Sequence, residues 1–69
     1  MEKGDVVTIT NPMDQYYGKS GFISKILIFD NNEPLYSVFV YECEKKIVYN
    51  KDDLQPVPGL NIVWRNNNE

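Results

Sequence analysis

Hydrophobic and polar residues alternate along the start of the chain in the way that β-strands do. In the stretch GDVVTIT, Val7 and Ile9 fall on one face, because side chains two residues apart in a strand point to the same side. We predict a strand over residues 5–10, followed by a loop over residues 11–20 that is rich in turn-forming residues. The next strand opens on Gly21, at a position where a side chain would crowd either a bend or a neighbouring backbone.

The second strand, predicted over residues 21–29, has an irregular alternation. Ile23 and Ile26 are three residues apart, so a regular strand would place them on opposite faces. A β-bulge between them, near Ser24, would return both to the core, and a small barrel needs such a bend. After the bulge, Ile26 and Ile28 are expected to face inward.

The third strand, predicted over residues 35–42, offers two competing faces. One of them carries Ser37, which favours the other face for the core. The predicted inward residues of this strand are Tyr36, Val38 and Val40. That choice leaves Phe39 and Tyr41 on the outer face. A tight charged turn follows, and then a fourth strand over residues 46–49.

The last third of the chain is broken by prolines. Residues 50–54 are typical of a single 3₁₀ or helical turn, and residues 55–57 predict a short fifth strand at an edge of the sheet. Pro58 and Gly59 break the chain again. In the tail that follows, Leu60, Ile62 and Trp64 alternate on one face, and the polar end NNNE is expected to be disordered.

Five short strands with Gly- and Pro-containing turns, and one helical turn before the last strand, indicate an all-β fold. The expected architecture is a small five-stranded barrel over residues 1–58. Residues 59–69 form a C-terminal tail, either partly disordered or adding a short strand.

Composition restricts this picture to one small soluble domain. The chain has 69 residues, 42% of them hydrophobic, and a net charge of −3 with no histidine. A negative chain is a poor non-specific ligand for phosphate backbones, whose affinity comes from Lys and Arg. Cys43 is the only cysteine, so no internal disulfide can form, which fits a reducing cytoplasm. Neither a signal peptide nor a membrane span is recognisable, and we expect a cytoplasmic protein without a membrane partner.

The glycine and aliphatic positions of the first two strands resemble the KOW motif of SH3-like barrels. The matching positions are Gly4, Val7 and Ile9, then Gly18, Gly21, Ile23 and Ile26. The segment KDDLQPV looks like the one-turn helix that leads SH3-like barrels into their last strand. The KOW family includes transcription elongation factors and ribosomal proteins, so the resemblance implies a nucleic-acid or ribosome-associated binding protein. Its RNA-binding members carry a basic first loop, whereas in the first loop of this chain the acidic Asp14 offsets the basic Lys19.

A second, weaker likeness is to the small SH3-like subunit of photosystem I. It rests on the stretch NPMDQYYGKSGFISKI and on the following YSVFV. This likeness implies a different role, that of a small structural subunit within a larger assembly.

The chain offers no catalytic constellation. Histidine is absent, Cys43 has no histidine partner, and the paired acids Asp52-Asp53 and Glu42/Glu44 fall in predicted exposed turns. No loop has the ligand spacing of a calcium site. We therefore expect a protein that is not an enzyme and that uses neither a metal nor another cofactor.

Two groups of aromatic residues are candidates for binding a partner. Tyr16 and Tyr17 form either a binding loop or a pair in which one ring closes the end of the barrel and the other is exposed. Phe39 and Tyr41, with Leu27 and Phe29 expected beside them, would form an exposed apolar strip.

Two explanations for this strip remain. The tail, through Leu60, Ile62 and Trp64, covers it on its own sheet or on that of a second copy. Alternatively, the strip or the tail binds another protein.

The lysines are the candidates for nucleic-acid binding. Lys25, Lys51 and the pair Lys45-Lys46 are expected near one rim, although acidic residues are their neighbours in sequence. The residues assigned to this alternative are Lys19, Lys25, Lys45 and Lys46.

The leading hypothesis is a non-catalytic protein-binding module. Frequent Asn, Tyr, Ile and Lys are typical of AT-rich genomes, which suits a phage or mobile-element product that modulates or inhibits a host complex. Its predicted partner-binding residues are Tyr16, Tyr17, Phe39, Tyr41 and Trp64. A homo-oligomer through the third-strand face or the tail is a further expectation.

Overall fold

The computed structural model describes residues 1–28 and 33–61, and this part of the chain is all-β. Five strands form one antiparallel sheet, and a single 3₁₀ turn, Lys51–Asp53, precedes the last of them. The strands are β1 (Asp5–Ile9), β2 (Ser20–Ile28), β3 (Pro34–Val40), β4 (Lys45–Asn50) and β5 (Leu54–Asn61). The predicted all-β fold is confirmed, including the position of the 3₁₀ turn.

Three successive connections place β1 to β4 side by side, and β5 then returns to pair with β1. The strand order is β4-β3-β2-β1-β5, so the long β2 lies at the centre of a barrel-like sheet. One face of every strand contributes to a single apolar core. Its buried side chains are Val7, Ile9, Ile23, Tyr36, Val38, Val40, Tyr49 and Leu54. The inward faces predicted for the first and third strands are therefore confirmed.

The β-bulge predicted in the second strand is present. The register of β2 against β3 shifts between Ile23, opposite Val38, and Lys25, opposite Ser37. Ser24 is the extra residue, and its hydroxyl donates a hydrogen bond to the Ser37 carbonyl at 2.9 Å. The bulge therefore changes the phase of the strand, and Ile26, beyond it, packs against the core.

Ile28 lies opposite Pro34, on the face that Ile26 shares, but it is not part of the core as predicted, because 69% of this residue is exposed. The backbone N of Gly4 donates to the Ile23 carbonyl at 2.7 Å, so the chain entering β1 meets β2 there. β2 continues five residues further, paired with β3. The end of this hairpin thus projects beyond the core that β1 helps to cover.

β5 is longer than predicted, because it runs through the Pro-Gly pair instead of ending before it. β5 pairs Pro56 with Val7 and then Asn61 with Asp5, so β1 advances two residues while β5 advances five. The additional residues form a bulge in which Gly59 has a φ of 79°. The side-chain amide of Asn61 donates to Asp5 Oδ1 at 2.7 Å and ties the end of β5 to the start of β1.

Some predictions fall outside the described residues. They concern Phe29, the turn after it, and the tail from Ile62 onward, which includes Trp64. In residues 1–28 and 33–61, no helix is long and apolar enough to cross a membrane.

Candidate functional site

Three aromatic side chains meet on the outer face of the sheet, and we call them the aromatic cluster: Phe22, Phe39 and Tyr41. The ring centroids of Phe22 and Phe39 are 5.4 Å apart, and those of Phe22 and Tyr41 are 5.9 Å apart. The Phe39 and Tyr41 rings meet edge to face at 6.1 Å. These separations are typical of interacting aromatic pairs.

The alternation of the strands places these rings outside the core. Phe39 lies between Val38 and Val40, whose side chains are fully buried, so its own side chain points to the opposite face. Phe22 is directly opposite Phe39 in the β2–β3 register, and cross-strand partners share a face. Tyr41 follows β3 directly, and 44% of it is exposed.

A transverse row of side chains extends the aromatic cluster across four strands. Val6 of β1 is opposite Phe22, Phe22 is opposite Phe39, and Phe39 is opposite Lys46 of β4. Lys25, opposite Ser37, lies beyond Phe22 on the same face. The aromatic cluster is thus an apolar surface with a lysine at each of two borders.

The third member of the aromatic cluster, Phe22, was not among the neighbours that the sequence predicted for Phe39 and Tyr41, which were Leu27 and Phe29. Leu27 is opposite Leu35, which places it far along the β2–β3 hairpin from Phe39. Phe29 lies outside the described residues. Phe22 takes the place expected of Leu27, because the register of β2 against β3 puts Phe22 beside Phe39. Its position next to the inward Ile23 was the available signal, since it assigns Phe22 to the outer face.

The two adjacent tyrosines of the first loop have different environments. Tyr16 is partly buried and packs against the core, whereas 57% of Tyr17 is exposed. A hydrogen bond with Cys43 raises the pKa of Tyr16. Tyr16 therefore belongs to the packing of the barrel end, and Tyr17 is the member of this pair that a partner can contact.

A buried hydroxyl anchors the same loop to β4. The hydroxyl of Tyr49 donates to Asp14 Oδ1 at 3.1 Å, and the backbone N of Tyr16 donates to the same oxygen at 2.8 Å. Burial, followed by the hydrogen bond to Asp14, raises the pKa of Tyr49. These hydrogen bonds to Asp14 therefore fix the loop that carries Tyr17 against the core.

The candidate lysines do not gather at a single rim. Lys19 Nζ lies 3.6 Å from Glu42 Oε1, and both side chains are about half exposed. Lys45 begins β4, whereas Lys51 follows the other end of that strand. Lys25 and Lys46 are the two lysines that border the aromatic cluster.

Among the described residues, Tyr41 is the exposed member of the aromatic cluster, whereas Phe22 and Phe39 are half-buried. No cavity is found among the described residues, and none of their acidic or cysteine side chains form a group of three that could hold a metal ion. The thiol of Cys43 is partly buried, 4.0 Å from the Val40 carbonyl. The arrangement offers aromatic faces and edges for contact, held on a sheet whose other side is the core.

No protein-family model, curated protein or solved structure matches this chain. A function can therefore be inferred only from the residues of the aromatic cluster and its borders.

Proposed function

We propose that the protein is a non-catalytic protein-binding module and that the aromatic cluster is its contact surface. The observation that carries this proposal is the meeting of Phe22, Phe39 and Tyr41 on the outer face, with Tyr41 44% exposed. Aromatic side chains give a large contact area for a small loss of side-chain entropy, and they are enriched at protein interfaces.

The support beneath the surface favours a preformed binding site. The residues on the other side of the sheet, including Val38 and Val40, are fully buried, so the strands that display the rings have little freedom to move. A preformed surface binds at a smaller entropic cost than one that must be ordered first. The resemblance to SH3-like barrels of the KOW type agrees with such a scaffold.

The test is a comparison of wild-type protein with two variants. Wild-type protein, Tyr41→Ala and Ile28→Ala are immobilised and exposed to an extract of the cells that make the protein. Ile28 is the control, since it is a large apolar residue that is more exposed than Tyr41 and lies six positions along β2 from Phe22. We expect a protein that is retained by the wild type and by Ile28→Ala but lost with Tyr41→Ala.

Thermal unfolding must accompany this experiment. Tyr41 is exposed, so its replacement by Ala should leave the midpoint within a few degrees of the wild type. Equal retention by all three proteins would refute the assignment of the surface, and a large fall in the Tyr41→Ala midpoint would instead make this ring a structural residue.

A second candidate function, binding of single-stranded nucleic acid, is favoured by the two bordering lysines. Lys46 is the cross-strand neighbour of Phe39, and Lys25 lies on the same face. Stacking on aromatic rings combined with basic contacts to the backbone is how sequence-tolerant single-strand binding proteins work. The net charge of −3 opposes this function.

Gel shifts with single-stranded RNA and DNA at about 50 mM salt separate the two candidates, because phosphate contacts are strong there. Nucleic-acid binding predicts retardation by the wild type and its loss in Lys25→Gln/Lys46→Gln. Protein binding predicts no retardation. A structural subunit of a larger assembly and a modulator of a host complex remain predictions of the sequence resemblance and composition.

A further inference from the structure

We propose that β4 is a self-association edge, at which two copies of this chain pair their β4 strands antiparallel about a two-fold axis beside Val48. The product is a closed dimer in which the two sheets become one continuous sheet. This association is separate from the proposed function, because it uses the edge of the sheet and not the aromatic cluster.

The first support is the position of β4 in the sheet. In the order β4-β3-β2-β1-β5, β4 lies at one end, and within the part of the chain that the structure describes it pairs with β3 alone. Every second residue of an antiparallel strand directs its backbone N–H and C=O groups away from the paired neighbour. On β4 these groups form a row that can pair with a further strand.

The opposite edge of the described sheet is much less suited to pairing. β5 contains Pro56 and Pro58, which have no backbone N–H, and its bulge at Gly59 interrupts the regular extended backbone. β4, with the sequence KKIVYN, contains neither proline nor glycine. β4 is therefore the edge at which we expect an added strand.

The distribution of charge along β4 indicates which strand it accepts. Residues 44–46 (EKK), at its start, carry one net positive charge, and residues 51–53 (KDD), just after its end, carry one net negative charge. A second copy running antiparallel places the positive end of each β4 beside the negative end of the other, whereas a parallel copy places like charges together. Lysines on an edge usually oppose pairing. Here they oppose every direction except the one in which the edge is complementary to itself.

The side-chain pattern of β4 selects the register. Ile47 packs against the core and Tyr49 is 4% exposed, whereas Val48, between them, faces outward and is 51% exposed. Cross-strand partners must share a face, and an axis beside Val48 meets this condition. The two Val48 side chains then become neighbours with Cβ atoms about 5 Å apart. Lys46 lies opposite Asn50 of the second copy, next to the acidic 3₁₀ turn.

The same geometry limits the assembly to two copies. In a pair related by a two-fold axis each β4 edge meets the other, so neither is left for a third copy. The edges that remain in the described sheet are the two β5 strands, whose prolines oppose pairing.

Sedimentation equilibrium of the full chain, from micromolar to millimolar concentration, tests the proposal. The wild type should show a reversible equilibrium between monomer and dimer. Val48→Lys places two lysines against each other at the axis and should weaken dimerisation at least about tenfold. Leu60→Lys is the matched control, because Leu60 is 53% exposed on β5, and it should dimerise like the wild type. Tyr41→Ala should also dimerise like the wild type.

Charge reversal provides a test that does not depend on Val48. Lys46→Glu makes both ends of β4 negative and Asp52→Lys makes both positive, so each variant alone should dimerise at least about tenfold more weakly than the wild type. An equal mixture of the two should recover dimerisation, because every positive end again meets a negative one. Circular dichroism verifies that each variant is folded.

Several results would overturn the proposal. They are a wild type that stays monomeric at every concentration, an assembly larger than a dimer, a folded Val48→Lys that dimerises normally, and a mixture of the charge variants that associates no better than its components. A monomeric wild type whose β4 amides resist hydrogen exchange would show that another segment of the chain pairs with this edge. Loss of dimerisation in Tyr41→Ala would assign the association to the aromatic cluster instead.

Discussion

At the scale of single residues, two glycines of the first hairpin are required for different physical reasons. Gly18 has a φ of +83°, in the left-handed region, but nothing lies within 4 Å of the place where a Cβ would be. Gly21 is buried, and an added Cβ would lie 2.8 Å from Val38 Cγ1 and against the carbonyl oxygen of Phe39. The expected crowding at Gly21 is therefore confirmed, and its cause is the close approach of β3.

These glycines allow a matched comparison. Gly21→Ala should destabilise the protein by about 3 kcal/mol or more, since backbone of β3 would have to move. Gly18→Ala should cost only about 1 kcal/mol, the strain of a left-handed Ala in open space. Denaturant unfolding of both variants measures the difference. Equal losses would mean that the sheet accommodates the methyl group at Gly21.

At the scale of the elements, a side-chain hydrogen bond joins the first loop to β4. Tyr49 is 4% exposed, and its hydroxyl donates to Asp14. Burial and this hydrogen bond both favour the protonated phenol and raise its pKa. The contact therefore contributes stability that is fully present below the unfolded pKa, near 10, and is lost as pH rises through the folded value.

Tyr49→Phe tests this link. At pH 7 the variant should be less stable by about 1 kcal/mol, because a buried hydrogen bond to a carboxylate is lost. Above about pH 10 the wild type should lose stability more steeply than the variant, which has no phenol to ionise at this position. Urea unfolding across this range makes the measurement, and parallel alkaline losses in the two proteins would contradict it.

At the scale of the whole molecule, one small core supports every strand. Among the residues that the structure describes, it contains eight buried apolar side chains, and five of these have no exposed surface. A domain of this size has little stability to spare, typically about 3–5 kcal/mol from its core. A single cavity should therefore weaken the entire fold and not one element of it.

The same substitution at two valines shows this dependence. Val38→Ala removes two buried methyl groups and should cost about 2 kcal/mol, with all strands unfolding together. Val48→Ala, at a residue that is 51% exposed on β4, should change the stability by about 0.5 kcal/mol at most. Thermal unfolding followed by two spectroscopic probes checks both values. Separate transitions for different strands in Val38→Ala would show that the core is not a single unit.

Much of this architecture could be predicted from short-range pattern. The strand positions, the 3₁₀ turn and the inward set Tyr36, Val38 and Val40 follow from alternation and turn chemistry. The exposure of Ile28 could not be predicted, because alternation says which face a side chain takes but not where the neighbouring strand ends. The continuation of β5 through Gly59 was missed for a related reason. A Pro-Gly pair is typical of the end of a strand, and only the pairing of β5 with β1 shows that it forms a bulge here.

The candidate binding surface, too, was only partly predictable from the sequence. The sequence by itself determined that Phe39 and Tyr41 are outside the core, because they alternate with the inward-facing Val38 and Val40 along the strand. Only the tertiary structure decided that Phe22 joins them and that Lys46 lies beside Phe39, because the register between strands is set by hydrogen bonds between distant residues and by the bulge at Ser24. Alternation is a property of one strand. A binding surface is a property of several strands in register.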